Sequence, residues 1–121
     1  MAETESEIWF KKAEQDFDTA KYNLDGDRIE AAVFYLHQSA EKALKSVYIK
    51  KLKSLIKVHD LVLLAKKVEA PSKIIELCKE LTPAYQYTRY PDVIPVNNLK
   101  EKSMKFVKSV EEILKWTKEN I

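Results

Sequence analysis

The chain is short of the residues from which tight turns, metal sites and phosphate clamps are usually made. Its 121 residues include one glycine (Gly26), one cysteine (Cys78), four prolines, two histidines (His37, His59) and two arginines (Arg28, Arg89). So little glycine and proline cannot supply the repeated turns of an all-β fold, which leaves helices. A single cysteine excludes an internal disulfide and any multi-cysteine metal centre, and fits a reducing cytoplasm. Two histidines without His-x-x-x-His spacing make zinc implausible, and we expect neither metal nor cofactor. There is no glycine-rich phosphate loop and no Gly-x-Ser-x-Gly elbow. No apolar run reaches membrane-spanning length, and the start, Met-Ala-Glu-Thr-Glu-Ser-Glu, is acidic where a signal peptide would be basic and then apolar, so neither export nor a membrane partner is expected.

What is present is a charged, amphipathic chain. Hydrophobic residues make up 45% and charged residues 33% of it, and 21 Lys+Arg stand against 19 Asp+Glu, a net charge of +2. That balance argues against a general phosphate-binding surface, so any nucleic-acid contact needs a local patch. The length sets one domain, residues 1–121.

Periodicity divides the chain into helices. From about Ser6 to Leu24, residues Trp9, Ala13, Phe17, Ala20 and Leu24 recur at helical spacing. Asp25-Gly26-Asp27 ends this helix, with Gly26 expected to take the left-handed conformation. A second helix is predicted from about Arg28 to Lys51, with Ile29, Val33, Leu36, Ala40, Ala43 and Val47 as its seam. After a basic link, Lys50 to Lys57, a short helix spans His59 to Val68. A fourth begins near Ser72 and buries Ile74, Cys78, Leu81 and Tyr85. Inside it, Pro83 predicts a kink or a restart capped by Thr82. Val93 to Asn97 reads as a loop. Asn98-Leu99-Lys100-Glu101 has capping-box spacing, and Val107, Val110, Leu114 and Thr117 mark the last helix. The fold class is therefore all-α: an up-and-down antiparallel four-helix bundle with one additional short helix, packed across one end. Trp9, Phe17, Leu81, Val110 and Leu114 should surround the Ile29 to Val47 seam.

Two segments carry candidate chemistry. His37, Glu41, Leu44 and Tyr48 form a second stripe on helix two, roughly 90° from the seam, beside Phe34. Such a face needs its own cover, from another helix, a partner subunit or a ligand. The plain reading pairs His37 with Glu41 at the core margin and leaves Lys42 and Lys45 in solvent. The second segment is Tyr85, Tyr87, Arg89 and Tyr90, followed by Pro91 and Asp92. Aromatic faces stack bases and arginine holds phosphate, although Tyr85 also suits the core and Arg89 also suits a pair with Glu41 or Asp92. His59 and Asp60 read as the cap of the short helix.

Taken in order, Ala13 to Ala20, Gln38-x-x-Glu41-Lys42-x-x-Lys45, His59-x-Leu61, and Tyr85 with Arg89-Tyr90-Pro91-Asp92 resemble the HEPN domain family, the higher eukaryotes and prokaryotes nucleotide-binding domain. The resemblance implies an up-and-down helical bundle that commonly dimerises. It also implies a partner, a minimal nucleotidyltransferase, in a toxin–antitoxin or related two-component system. Many such domains are RNases with an arginine four to six residues before a histidine. Here eight residues separate Arg28 from His37 and no histidine follows Arg89, so the motif is absent. A nucleotide- or RNA-associated binding module thus ranks above a metal-independent RNase with a non-standard Arg/His site, and above a purely structural partner-binding bundle. The ligand residues expected to converge on one groove are His37, Glu41, Lys45, Arg89 and Tyr90, with Asp92 at its edge. There Arg89 and Lys45 would hold phosphate, Tyr90 would stack, and Glu41 would orient Arg89 or His37.

Overall fold

The structure, a computed structural model, describes residues 2–92 and 97–121. The loop expected over Val93 to Asn97 falls, Asn97 apart, outside the described residues. Within them the chain forms α1 (Glu5–Asp25), α2 (Ile29–Leu52), α3 (Leu61–Lys67), α4 (Ser72–Arg89) and α5 (Leu99–Glu119), with no strand among the described residues.

α1 starts where Thr4 accepts a hydrogen bond from the Glu7 amide at 3.1 Å, with Glu5 and Glu7 in the first turn facing the positive helix end. It buries Ser6, Phe10, Ala13, Phe17 and Ala20, whereas Trp9 and Leu24 are only half-buried. Phe10 therefore holds the inward position expected of Trp9. α1 and α2 form an antiparallel hairpin tied by buried serines. Ser6 donates to the Ser46 carbonyl and Ser39 to the Ala13 carbonyl, both at 2.7 Å, and Lys42 reaches Asp16 at 2.6 Å. Small residues at the crossing, Ala13, Ala40 and Ala43, are fully covered and let the helices approach closely.

The turn between them corrects the expectation for Gly26. Its φ is −84°, and Asp27 takes the left-handed conformation instead, at φ 62°, with its carboxylate on Lys100 at 2.9 Å. Aspartate is among the few residues besides glycine that visit this region, so the turn does not need its glycine there. A Cβ added at Gly26 would meet only Tyr22 and Asn23 carbonyl oxygens, at 3.6 and 3.7 Å. Gly26→Ala is expected to raise stability by roughly 0.4–1 kcal/mol, by restricting the unfolded chain. Chemical denaturation checks this; a clear loss of stability would mean that Gly26 needs a conformation other than the one described.

α2 is the central helix: it touches α1, α3, α4 and α5, while α1 and α4 do not touch among the described residues. Its seam is buried from Val33 to Val47, with Ile29 half-buried at the start. The second stripe is covered as well. His37, Glu41 and Leu44 are buried and Tyr48 half-buried, under the α3 side and α4 of the same chain. The mixed face that suggested a partner subunit is thus occupied intramolecularly.

α3 lies along the side of α2 rather than across an end. It begins at Asp60, which caps it by accepting from the Leu63 amide at 3.1 Å, and it ends beside Lys51, whose ammonium donates to the Val68 carbonyl at 2.8 Å. α4 runs without a restart through Pro83, and the Thr82 hydroxyl is not a cap but donates to the Cys78 carbonyl at 3.0 Å. Its stripe Ile74, Cys78, Leu81 and Tyr85 is buried as the spacing predicts.

α5 starts at Leu99, but Asn98 has φ 55° and makes no side-chain cap bond, so the expected capping box does not form. α5 buries Phe106, Val110, Ile113 and Thr117, with Val107 and Leu114 half-buried beside them. The two faces are one residue apart on the helix, and only packing against α2 selects between them. Lys73 meets Glu112 at 3.2 Å, which sets α4 and α5 antiparallel and completes the up-and-down arrangement.

Candidate functional site

The polar interior gathers on one side of α2, between α4 and the segment leading into α3. Facing α4, the His37 ring stacks on Tyr85 with centroids 3.6 Å apart and planes at 16°, and Phe34 stacks on the same tyrosine at 6.0 Å. Tyr85 continues outward: its hydroxyl accepts from an Arg89 guanidinium nitrogen at 2.8 Å. The result is a file of groups from the core to the surface, ending in an exposed cation. The phenol of Tyr85, and then that of Tyr90, hold the Arg89 guanidinium above its already high value.

One turn along α2, Glu41 has one carboxylate oxygen, Oε2, shared by Lys45 Nζ at 2.9 Å and His59 Nδ1 at 3.0 Å. Glu41 and Lys45 are each 5% exposed, while the His59 side chain is 74% exposed. A buried carboxylate therefore has a buried cation on its own helix and a surface histidine from the link. Trp9 covers Lys45, with the ammonium 5.8 Å from the ring centroid.

Two polar atoms in this region have no hydrogen-bond partner, His37 Nδ1 and Glu41 Oε1. Burial is the first reason that the His37 pKa is pushed down to about 4; Glu41 opposes this, while His59 and Arg89 add to it. His37 is a neutral ring at neutral pH. Burial likewise pushes the Cys78 thiol up to about 12, so it is inert as a nucleophile. No group of three His, Cys, Asp or Glu side chains that could hold a metal occurs among the described residues.

The six residues expected to converge thus separate into three positions. His37 and Arg89 are linked through Tyr85, and Glu41 and Lys45 form a buried pair. Tyr90, whose phenol acts on Arg89, and Asp92 lie exposed beyond the end of α4, with Asp92 in no ion pair among the described residues. Lys45 is not solvated, and it is engaged by Glu41 rather than open to a ligand. Glu41 orients neither Arg89 nor His37; its partners are Lys45 and His59. Arg89 pairs with the Tyr85 hydroxyl rather than with Glu41 or Asp92. His59, expected as a cap, is instead the outer partner of Glu41, a contact across 18 residues that no local spacing reveals.

The model of the HEPN domain family matches residues 6–121. Two solved structures are similar over nearly their whole length. TT1696 from Thermus thermophilus has a TM-score of 0.84 at 23% identity, covering 96% of this chain and 98% of that one. ST0689, an archaeal HEPN homologue, has a TM-score of 0.77 at 27% identity, covering 96% and 97%. No curated protein matches. The chain belongs to the HEPN family, a family of nucleotide-binding and RNase-type modules. No helix among the described residues is long and apolar enough to cross a membrane.

Proposed function

We propose that the chain is a nucleotide- or RNA-associated binding module acting with a minimal nucleotidyltransferase partner in a two-component, toxin–antitoxin-like system. The observation that carries the binding reading is the exposed Arg89 guanidinium, fixed on the Tyr85 hydroxyl at the mouth of the Phe34, Tyr85 and His37 stack and followed by the exposed Tyr90 ring. A positioned guanidinium holds a phosphate oxygen, and a free aromatic face beside it accepts a base. With Lys45 taken up by Glu41, the phosphate role falls to Arg89. The reading also keeps the nucleotidyltransferase and a second copy of the chain as partners, on family resemblance alone.

His37 does not suit the RNase alternative. A ring with a pKa near 4 is a poor proton donor at neutral pH and lies sealed against Tyr85. What favours that alternative is the surface histidine His59, oriented by Glu41.

Arg89→Ala is expected to weaken nucleotide or RNA binding by more than tenfold, about 1.4 kcal/mol, with the helical signal and melting curve kept. Titration of parent and variant with a nucleoside triphosphate and a short RNA reads this. Unchanged binding with a much lower melting point would make Arg89 a structural residue. RNA shortened during the titration would shift the reading to the RNase, with His59 as its histidine. Light scattering and co-purification with the neighbouring gene's product test the two partners: a monomer that captures no nucleotidyltransferase would leave the binding reading to stand alone.

A further inference from the structure

Apart from His59, which meets Glu41, the basic link between α2 and α3 plays no part in the site just described. Between Glu41 and Asp60 the chain carries six lysines, at 42, 45, 50, 51, 53 and 57, and no acid. Lys42 and Lys45 are paired within the bundle. The others belong to a turn of the chain around the end of α2. Lys53, at φ 57°, reverses the backbone; the link returns to His59 at Glu41, and α3 runs forward again until Val68 receives Lys51. The C-terminal ends of α2 and α3 are thereby brought to one tip. Lys50, Lys53, Lys66 and Lys67 are exposed there, in no ion pair among the described residues, and Lys57 lies exposed further along the link. Two leucines are interleaved with them, Leu52 at 51% and Leu55 at 43% exposure. The acids nearest in the chain are Asp60, shortly after Lys57, and Glu69, after α3, while Glu5 shares a groove with Lys50 and Lys53.

We propose that this lysine–leucine tip docks on an anionic lipid surface, with the ammonium groups over the head groups and Leu52 and Leu55 inserted between them. The residue types select this occupant. Lysines are point charges that add up over a diffuse anionic plane, and leucine side chains gain only where an apolar layer lies beneath the charge. A nucleic acid would use arginine forks and stacking rings, and this tip has neither: the exposed aromatics are Tyr22 and Tyr90, away from the link. A peptide would need an apolar groove, whereas the groove beside the tip, about 240 Å³, is lined by Thr4, Glu5, Ser6, Ile49, Lys50 and Lys53.

Sedimentation of the full chain with phosphatidylcholine vesicles, with and without phosphatidylserine, tests the proposal. Binding is expected only to the phosphatidylserine vesicles, falling as salt rises. Lys53→Glu with Lys67→Glu, and separately Leu52→Ser with Leu55→Ser, should each lower it at least tenfold with the circular dichroism melt unchanged. Arg89→Ala should bind vesicles as the parent does, which keeps this test separate from nucleotide binding. Absence of binding at low ionic strength, equal binding to both vesicle types, or indifference to both double variants overturns the proposal. So does vesicle-independent RNA binding that the lysine variant alone abolishes, which would assign the tip to nucleic acid.

Discussion

Acidification from pH 6.5 to 4 is expected to remove about 3 kcal/mol of folding stability through His37 alone. The ring is 2% exposed, and burial lowers its pKa from 6.5 to about 4 in the folded state. Between these values the unfolded chain binds the proton and the folded chain does not. Stability therefore rises with pH across that window, is complete above about 6.5, and is lost as pH falls to about 4. Burial is why the folded state refuses the proton: the Tyr85 ring keeps water from one imidazole face at 3.6 Å, and Nδ1 has no hydrogen-bond partner that would reward a second N–H. Denaturant unfolding at several pH values reads the slope. His37→Leu should flatten it between pH 4 and 6.5 whatever it does to stability at pH 7. An equal slope in parent and variant would show that His37 is reached by solvent and titrates normally.

Lys45→Ala should be the most damaging single change in the polar interior, at roughly 3–5 kcal/mol. It leaves the Glu41 carboxylate buried with only His59, an exposed partner, on one of its two oxygens. For a domain of this size the melting temperature should fall by roughly 10–20 °C. Replacing both partners, Glu41→Gln with Lys45→Met, should recover most of that loss, because no uncompensated charge is then buried. A single variant that melts within a few degrees of the parent would mean that water reaches Glu41. Lys45 thus predicts a stability phenotype and Arg89 a binding phenotype, although the two were expected to hold the same phosphate.

The α2 seam shows how much the residue pattern can decide. Val33, Leu36, Ala40, Ala43 and Val47 follow one helical face, and burying that face in water requires other helices around it. Spacing likewise identifies Ile74, Cys78, Leu81 and Tyr85 on α4. Where two adjacent faces are both apolar, spacing cannot choose: α1 offers Trp9 and Phe10, and α5 offers Val107 and Leu114 or Phe106 and Ile113. Docking against α2 makes the choice in each helix. The turns follow the same logic: glycine alone adopts φ > 0 freely, but Asp27, Lys53, Glu69 and Asn98 are driven there by the helices they join.

By itself the sequence determined the helical class, the five elements and the family, all of which rest on local periodicity and on motifs read in order. It also marked His37, Glu41 and Arg89 as residues of interest. Only the tertiary structure decided their partners. Tyr85 comes to His37 because α4 packs antiparallel to α2, and His59 comes to Glu41 because a left-handed Lys53 turns the link back along the helix. Those pairings join residues 48 and 18 positions apart. Hydrogen bonds and charges act over a few ångströms of space, so spacing along the chain carries no record of them until the helices have packed.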